Sequence, residues 1–447
     1  MIAHLPPDKA NTLKQAYQVC ELGALEGESQ KYYVDLSEVR DPTAINSLKK
    51  KLDFSEPGQF RSILFTGHRG SGKSTELLRL KNQLEQEYRV VYLKADSVLD
   101  INDTDYIDLY LVLIHEIMKE AAELKLKLNS TLVQTFEDWF KEITEETDHT
   151  VEKHIGLEAK VGIEAPFLMR LMAKLSAQIK GSYIQRKKVR NTLQQDIGAL
   201  QANMNALLLN AFEKLREKYN GYSKGFLVMF DNLDRLPLEV ADRLYFDYAT
   251  QLQDINCTLI YTAPISVVYS NKNLNRAFSE PHIIPMVKIY QPLGNDLKYA
   301  RKALNDFAQV ITKRIDYNAV FTDPKLIMEL VTNSGGHVRQ LMQMMAQACL
   351  LTNSPTDKID KTIIQSVIKK QYINFDRIIP EDHYPLLAQV YQERRVRQTE
   401  DGQIMLFNLS VLEYNGDERW NYINPVILQS PRFQKALQQA HQVLQTS

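Results

Sequence analysis

The residues best suited to chemistry in this sequence form a glycine-rich octapeptide, GHRGSGKS, at positions 67–74. It matches G-x-x-x-x-G-K-[ST] at every position, and its glycines allow successive backbone N–H groups to turn toward phosphate oxygens. The spacing predicts that Lys73 reaches the β- and γ-phosphates of ATP and that the Ser74 hydroxyl ligates Mg²⁺. The residues expected to surround the phosphates are consecutive: Gly67, His68, Arg69, Gly70, Ser71, Gly72, Lys73, Ser74 and Thr75.

Two elements flank this loop, as phosphate binding requires. Residues 63–66 (ILFT) are apolar or β-branched and predict a buried parallel strand that ends at Gly67. Leucines recur from Leu77 at helical spacing, so a helix is expected to begin near Lys73. The positive end of that helix dipole would then face the bound phosphates.

A second apolar run, FLVMF at 226–230, ends in Asp231. Nucleotide-binding loops of this kind work with an acid at the end of a neighbouring buried strand. In that position Asp231 would hold Mg²⁺ through water, while Ser74 binds the ion from the loop. The two runs together predict one site for ATP and Mg²⁺.

Hydrolysis of ATP to ADP and phosphate also requires a group that orients the attacking water or accepts its proton. Many P-loop ATPases carry an acid directly after the first one, but Asn232 stands there in this chain. An amide can orient a water molecule and cannot accept its proton, so slow turnover is expected. Asp234 is the next acid, and it either takes that proton or forms an ion pair with Arg235 or Arg243.

Strand and helix patterns alternate through the first two thirds of the chain, which predicts an α/β fold of the P-loop NTPase type with a parallel, doubly covered sheet. The expected divisions are an N-terminal segment packed on the core (1–58), the nucleotide-binding core (59–295), a helical lid (296–376) and a winged-helix-like domain (377–447). The core is expected to carry a helical and basic insertion at 100–220, which includes a small hairpin at 151–164.

The last two divisions differ from the core in pattern. Helical periodicity continues through residues 296–372, so no strand is expected there. Residues 403–413 and 419–423 have the pattern of two strands, and Asn415-Gly416 between them is a strong hairpin signal. Helices followed by a hairpin favour a winged-helix arrangement.

Composition limits the classes of function. The chain has 447 residues with a formal net charge of −1, so no global field attracts it to nucleic acid or membrane. Its three cysteines, Cys20, Cys257 and Cys349, are widely spaced, which argues against a disulfide framework or a zinc site. The first residues lack a signal-peptide core and no apolar run reaches transmembrane length, so a cytoplasmic location is expected.

Several motifs occur in one order: GHRGSGKST, FLVMFDNLD, the polar-ended strand TLIYT, the helix start GGHVRQL and the terminal winged-helix pattern. This order resembles the AAA+ superfamily, most nearly its STAND and origin-initiator-like branches. The resemblance implies an α/β ATPase core, a helical lid, a winged-helix module and formation of a homo-oligomer on ATP binding. Many bacterial STAND-like members act in signalling or in defence against phage.

The resemblance also implies roles for three further residues. Thr262 matches sensor 1, a polar group at the end of the strand beside the acidic one. Arg339 matches sensor 2, a lid arginine that reaches the γ-phosphate, and a guanidinium there can bind phosphate through two hydrogen bonds. Arg276 stands where AAA+ proteins often place an arginine finger for the neighbouring subunit.

Two functions remain open from the sequence. One is an ATP-controlled switch that acts through a protein effector, and the other is a DNA-bound regulator or initiator. The basic residues of 170–190 could bind DNA phosphates, or they could form a solvated helix face paired with acids at 142–148. The hairpin carries Glu413, Asp417 and Glu418, whose charge would repel phosphate, so the switch is favoured.

Overall fold

Five parallel strands form the central sheet of the computed structural model, in the order β2-β3-β4-β1-β5. The strands are β1 (Ser62–Gly67), β2 (Arg89–Lys94), β3 (Phe226–Asp231), β4 (Thr258–Pro264) and β5 (His282–Ile284). On β1, Phe65 lies opposite Thr262 of β4 and His282 of β5. Because the carboxyl ends of parallel strands meet at one edge, the loop after β1 and Asp231 share that edge. The predicted α/β fold of the P-loop NTPase type, with a parallel sheet, is confirmed.

The structure describes most of the chain. The described residues are 5–6, 8–41, 43–147, 167–293, 296–415 and 418–446. The hairpin predicted at 151–164 and Gly416-Asp417 of the predicted turn lie outside them.

Both faces of the sheet are covered by helices. Alternate strand residues point to opposite faces and are therefore buried on one side or the other. Ile63 and Phe65 pack on one side with the helices before and after β1. Leu64 and Val228 pack on the other side with the helices of the insertion. The helices of the first half are α1 (Leu13–Cys20), α2 (Ala44–Asp53), α3 (Lys73–Leu84), α4 (Ala95–Val98), α5 (Tyr106–Glu123), α6 (Ser130–Thr147), α7 (Phe167–Lys180), α8 (Tyr183–Gln194) and α9 (Ile197–Lys218).

The predicted helical lid begins differently from the expectation. Its helices are α13 (Arg301–Thr312), α14 (Tyr317–Val320), α15 (Leu326–Asn333), α16 (Val338–Leu350) and α17 (Lys361–Ile378), after α10 (Leu238–Asp242), α11 (Ala249–Gln253) and α12 (Leu274–Ala277) in the core. An antiparallel hairpin of β6 (Tyr290–Leu293) and β7 (Asp296–Tyr299) precedes them, where helix was expected from residue 296. Tyr290 and Tyr299 pair across this hairpin with ring centroids 5.4 Å apart, a contact that stabilises strands.

The C-terminal module is winged-helix-like: two helices, a hairpin and a last helix. These are α18 (His383–Glu393), α19 (Glu400–Phe407), β8 (Val411–Tyr414), β9 (Trp420–Ile423) and α20 (Pro431–Thr446). The strand predicted from residue 403 therefore begins only at Val411. Thr399 caps α19 by accepting a hydrogen bond from Gly402 N, and Leu409 with a φ of 65° separates the helix from β8.

The N-terminal segment, the lid and the C-terminal module share one apolar cluster. Ala10 pairs with Ile315 just after α13, and α1 packs against α16. Short 3₁₀ turns at Gly27–Tyr32 and Ser37–Val39 carry the chain from α1 to the edge of the P-loop. The structure that covers the P-loop (residues 67–74) is therefore built from both ends of the chain. Among the residues described, no helix has the length and apolarity required to cross a bilayer.

Candidate nucleotide site at the sheet edge

A cleft of about 340 Å³ lies at the carboxyl edge of the sheet. The P-loop forms one wall, and the N-terminal segment, the turn after β3 and the start of α16 form the others. Its P-loop residues are Arg69, Gly70, Gly72, Lys73, Ser74 and Thr75. Gly70 and Gly72 have φ values of 91° and 110°, which only glycine adopts without strain, and α3 begins directly after them.

Lys73 is almost fully buried and is held by three groups. Its ammonium donates to the carbonyls of Gly67 (2.8 Å) and His68 (2.9 Å) and lies 2.7 Å from Asp234 Oδ2. Asp234 therefore pairs with the loop lysine, and neither of the partners expected for it, Arg235 and Arg243, takes that place. β1, which leads into the P-loop, and β3 end at the same edge of the sheet. The turn after β3 therefore brings the Asp234 carboxylate to Lys73.

Asp231 and Ser74 meet at a residue that the sequence patterns do not assign, Tyr92 of β2. The Tyr92 hydroxyl donates to Asp231 Oδ2 and is within hydrogen-bond reach of the Ser74 side chain. Asp231 is 1% exposed, and its Oδ1 has no partner among the described residues. An unpaired buried carboxylate oxygen beside a hydroxyl is a suitable donor set for Mg²⁺, which takes one or two protein groups with phosphate and water.

No group of three acidic, histidine or cysteine side chains in the described ranges forms a metal cage. The residues that fit Mg²⁺ are Asp231 and Ser74.

The two polar residues predicted beside the acid are engaged by the protein. Asn232 has a φ of 68°, and its amide donates to Asp96 Oδ1 at 2.7 Å. Thr262 is fully buried, and its hydroxyl accepts from Leu233 N (2.9 Å) while lying 3.2 Å from Phe230 O. Asparagine is one of the few residues that adopt the left-handed conformation readily, so the turn itself accounts for Asn232. Thr262 holds this turn.

The first turn of α16 lies directly on the P-loop. His337 caps this helix: its Nδ1 accepts from Gln340 N at 2.8 Å, so its Nε2–H donates to Arg69 O at 2.8 Å. The backbone of Arg339 donates to Gly70 O at 3.2 Å. A Cβ on Gly70 would lie 2.7 Å from the Cβ of Arg339, so glycine is required for this contact.

The cleft concentrates positive charge. Burial and then the neighbouring Arg69 and Arg235 lower the pKa of Arg339, while Asp234 and Asp231 oppose that shift. A fourth arginine, Arg40, is 6% exposed and donates to Ser71 O at 2.7 Å. Its Nε has no partner within the described part of the chain. Sequence reasoning missed Arg40 because no local pattern links position 40 to the loop.

His68 belongs to the P-loop by sequence, but its side chain points away from the cleft. Its Nε2 accepts from Glu413 N of β8 at 2.8 Å, inside the interface with the C-terminal module. Burial, then His337 and Lys73, lowers the pKa of His68 to about 3, so the ring is neutral. Glu413 is itself 1% exposed and accepts from Tyr269. Glu413 is therefore buried and does not contribute to the negative charge that was expected on the hairpin.

Arg276 lies in α12, and its side chain is outside what the structure describes. The basic window of 170–190 can be placed more fully. Arg186 binds Asp100 (2.9 Å) and Asp103 (2.8 Å), and Arg190 binds Asp103 (3.1 Å) and Asp108. These acids are not the ones at 142–148 considered from sequence. The two arginines tie α8 to the start of α5.

The chain matches no protein-family model, and no curated protein is similar to it. Solved structures with a related arrangement include the Walker-type ATPase paby2304 of Pyrococcus abyssi, at 13% identity and a TM-score of 0.40, covering 94% of this chain and 99% of that one. Cdc6p from Pyrobaculum aerophilum has 10% identity and a TM-score of 0.38, covering 95% and 98%.

Drosophila ORC bound to DNA has 9% identity and a TM-score of 0.38, covering 98% of this chain and 95% of that one. Likenesses this distant leave the argument about function to the geometry of the site.

Proposed function

We propose that the protein is an ATP-binding, slowly hydrolysing AAA+-like switch whose C-terminal module responds to the nucleotide. One observation carries this proposal: the lid and the C-terminal module both bond to the P-loop itself. His337 and Arg339 bind the loop backbone from the lid, and Glu413 N binds the His68 ring from the hairpin. A change in the conformation of the P-loop would therefore alter the contacts of both the lid and the C-terminal module.

The charges around the cleft support a triphosphate as ligand. Lys73, Arg69, Arg235, Arg339 and Arg40 converge there, and guanidinium groups bind phosphate oxygens through paired hydrogen bonds. Asp231 and Ser74 would hold Mg²⁺, which neutralises charge on the β- and γ-phosphates. Arg339 is proposed to bind the γ-phosphate, because it lines the cleft with Lys73 and its charge interacts with those of Arg69, Arg235 and Asp234.

Slow turnover is supported by the state of the polar groups near the phosphates. Asp234 is paired with Lys73, and Asn232 donates its amide to Asp96. Neither group is placed as a ready acceptor for the proton of an attacking water. The ATP-bound state is then long-lived, which suits a switch better than a motor.

The alternative function, a DNA-bound regulator or initiator, receives support from one surface. Lys187 and Lys188 are exposed on α8. Against it, α19, the second helix of the winged-helix-like pair, packs on the core turn Ile265–Tyr269, with Gln403 donating to Ser266 O at 3.0 Å. A helix held against the core is poorly placed to enter a DNA groove. Action through a protein effector and assembly on ATP binding therefore belong to the proposal.

The pathway in which the switch acts, bacterial signalling or defence against phage, rests on the sequence resemblance. Arg276 is retained in the proposal as a group offered to the neighbouring subunit. Its role would require the ATP-dependent homo-oligomer.

Hydrogen exchange with and without Mg²⁺–ATP tests the coupling. Phosphate binding orders the loop, so exchange of the β8 and β9 amides is expected to slow in the parent protein. His68→Ala should bind a fluorescent ATP analogue normally and lose this response. His115→Ala, at a partly exposed position of α5 outside the P-loop, is the matched control. Unchanged exchange in the parent, despite ATP binding, would overturn the switch.

Light scattering in the same samples reports assembly, which is expected only with ATP. A DNA duplex added in parallel separates the alternative. Protection of α8 by DNA, without any ATP response in β8 and β9, would favour the DNA-bound regulator.

A further inference from the structure

Tyr92 lies where the two proposed Mg²⁺ ligands meet. It is the fourth residue of β2, and its strand pairs with β3, which ends in Asp231. Its hydroxyl donates to Asp231 Oδ2 and reaches the Ser74 side chain. No motif of the nucleotide site includes it.

We infer that Tyr92 is a positioning residue that aligns the Asp231 carboxylate and the Ser74 hydroxyl for the metal ion of the nucleotide. This inference rests on the proposed ATP function. Tyr92 itself does not touch the metal or the phosphates, and it acts through the two ligands.

The available donors and acceptors fix the direction of the hydrogen bonds around Tyr92. A phenol has one O–H to donate and lone pairs that accept, and a carboxylate can only accept. The Tyr92 proton therefore goes to Asp231, which leaves only the phenol oxygen, an acceptor, to interact with the Ser74 hydroxyl. This leaves the Ser74 lone pairs and the unpartnered Asp231 Oδ1 as the oxygen donors that a cation could use.

Burial makes this alignment matter. Asp231 is 1% exposed, so its carboxylate cannot find water if it rotates. The Tyr92 phenol is the hydrogen-bond donor to Oδ2 of this carboxylate. Removing that donor leaves Asp231 Oδ2 without a partner in a dry site, and the carboxylate would turn to satisfy it.

Tyr92→Phe tests the inference, because it removes the hydroxyl and keeps the ring. Binding of a fluorescent, non-hydrolysable ATP analogue is measured in EDTA and then across a Mg²⁺ titration. Affinity in EDTA should stay within about twofold of the parent. The Mg²⁺ concentration at half-effect should rise about tenfold, the scale seen when a partner that orients a metal ligand is lost.

Tyr88→Phe is the matched control. Tyr88 immediately precedes β2, four residues before Tyr92, and its hydroxyl donates to Leu52 O of α2 at 3.3 Å. The chemical change is the same, but no metal ligand is involved, so its Mg²⁺ titration should match the parent. Combining Tyr92→Phe with Asp231→Asn should add little to Asp231→Asn alone, because the tyrosine acts through the acid.

An unchanged or tighter Mg²⁺ response in Tyr92→Phe would overturn the inference and leave ATP binding intact. Equal shifts in Tyr92→Phe and Tyr88→Phe would also overturn it, since they indicate a general loss of packing. A parent protein that binds no ATP analogue would overturn the proposed function as well.

A second measurement uses the parent fold and does not depend on the variant. The fluorine resonance of 3-fluorotyrosine at position 92 is recorded while Mn²⁺ is added with the analogue. Broadening at position 92, with little at position 88, is expected if Tyr92 borders the metal. Equal broadening at both positions would contradict it.

Discussion

The arginines of the cleft and those of the insertion carry the same charge but differ in their neighbours. In the insertion, the carboxylates of Asp108 and Asp103 outweigh burial and raise the pKa of Arg190. In the cleft, burial and then two neighbouring arginines lower the pKa of Arg339. One cluster has its anions built into the protein, and the other has cations in excess.

The difference teaches how to separate structural from ligand-binding cations. An arginine held by two carboxylates has its charge balanced within the protein, and its removal leaves buried acids without a partner. A set of crowded cations is costly until an anion arrives from outside. By this reasoning Arg186 and Arg190 of the basic window are part of the fold, and the cleft is the proposed phosphate site.

Arg190→Ala gives the largest expected effect on this comparison. Asp108 is 2% exposed in its side chain and would lose its ion-pair partner. The expected loss of stability is about 3–5 kcal/mol, measured by urea unfolding. Lys187→Ala, on the exposed side of α8, should change stability by less than about 0.5 kcal/mol. Similar small losses in both variants would show that the insertion does not depend on these ion pairs.

Lys73→Met is expected to have the second-largest effect. Loss of charge-assisted hydrogen bonds to the phosphates is expected to lower ATP affinity by about 3 kcal/mol, or about 100-fold. The substitution also strands Asp234, so Lys73→Met with Asp234→Asn keeps the site neutral and isolates the binding effect. Asp234→Asn alone should bind ATP at least as well as the parent. Parent-like affinity in the double variant, measured with a fluorescent analogue, would remove Lys73 from the site.

The buried histidines of the cover predict a pH effect. Burial, the largest cause for each, lowers the pKa of His68 to about 3 and that of His337 to about 4. Their ordinary value is about 6.5, so the unfolded chain binds more protons between these limits, and stability falls as pH falls below 6.5.

At pH 5 each histidine should lower the free energy of unfolding by about 2 kcal/mol relative to pH 7. Urea unfolding of the parent and of His68→Gln at both pH values measures this. The variant should lose about 2 kcal/mol less than the parent on acidification. Equal losses would mean that His68 is not buried as neutral imidazole.

Arg339→Ala gives the smallest expected effect. It removes one guanidinium from a cluster that also contains Arg69 and Arg235, so the loss of ATP affinity should be about tenfold, or about 1.4 kcal/mol. ADP affinity should change much less if Arg339 binds the γ-phosphate. Stability should be retained, in contrast to Arg190→Ala. Equal losses for ATP and ADP would place Arg339 away from the γ-phosphate.

Contiguous segments were the most predictable part of the molecule. The P-loop, its flanking strand and helix, and the strand ending in Asp231 follow from local spacing, because each is one strand, one turn or one helix. The hairpin of β6 and β7 was missed, since its stabilising Tyr290–Tyr299 pair is visible only across two strands. The extent of the strand before Tyr414 was also wrong, because Thr399 caps a helix within that run.

The sequence alone determined the glycine-rich loop between β1 and α3, the acid at the end of β3 and the α/β class. These depend on residue types at fixed short spacings, which backbone geometry converts directly into structure. Only the tertiary structure decided the partners: Asp234 with Lys73, Tyr92 with Asp231, Arg40 with Ser71, and His68 with Glu413. Such pairs join residues separated by up to 345 positions, and packing of buried surfaces, rather than any local pattern, brings them within hydrogen-bond distance.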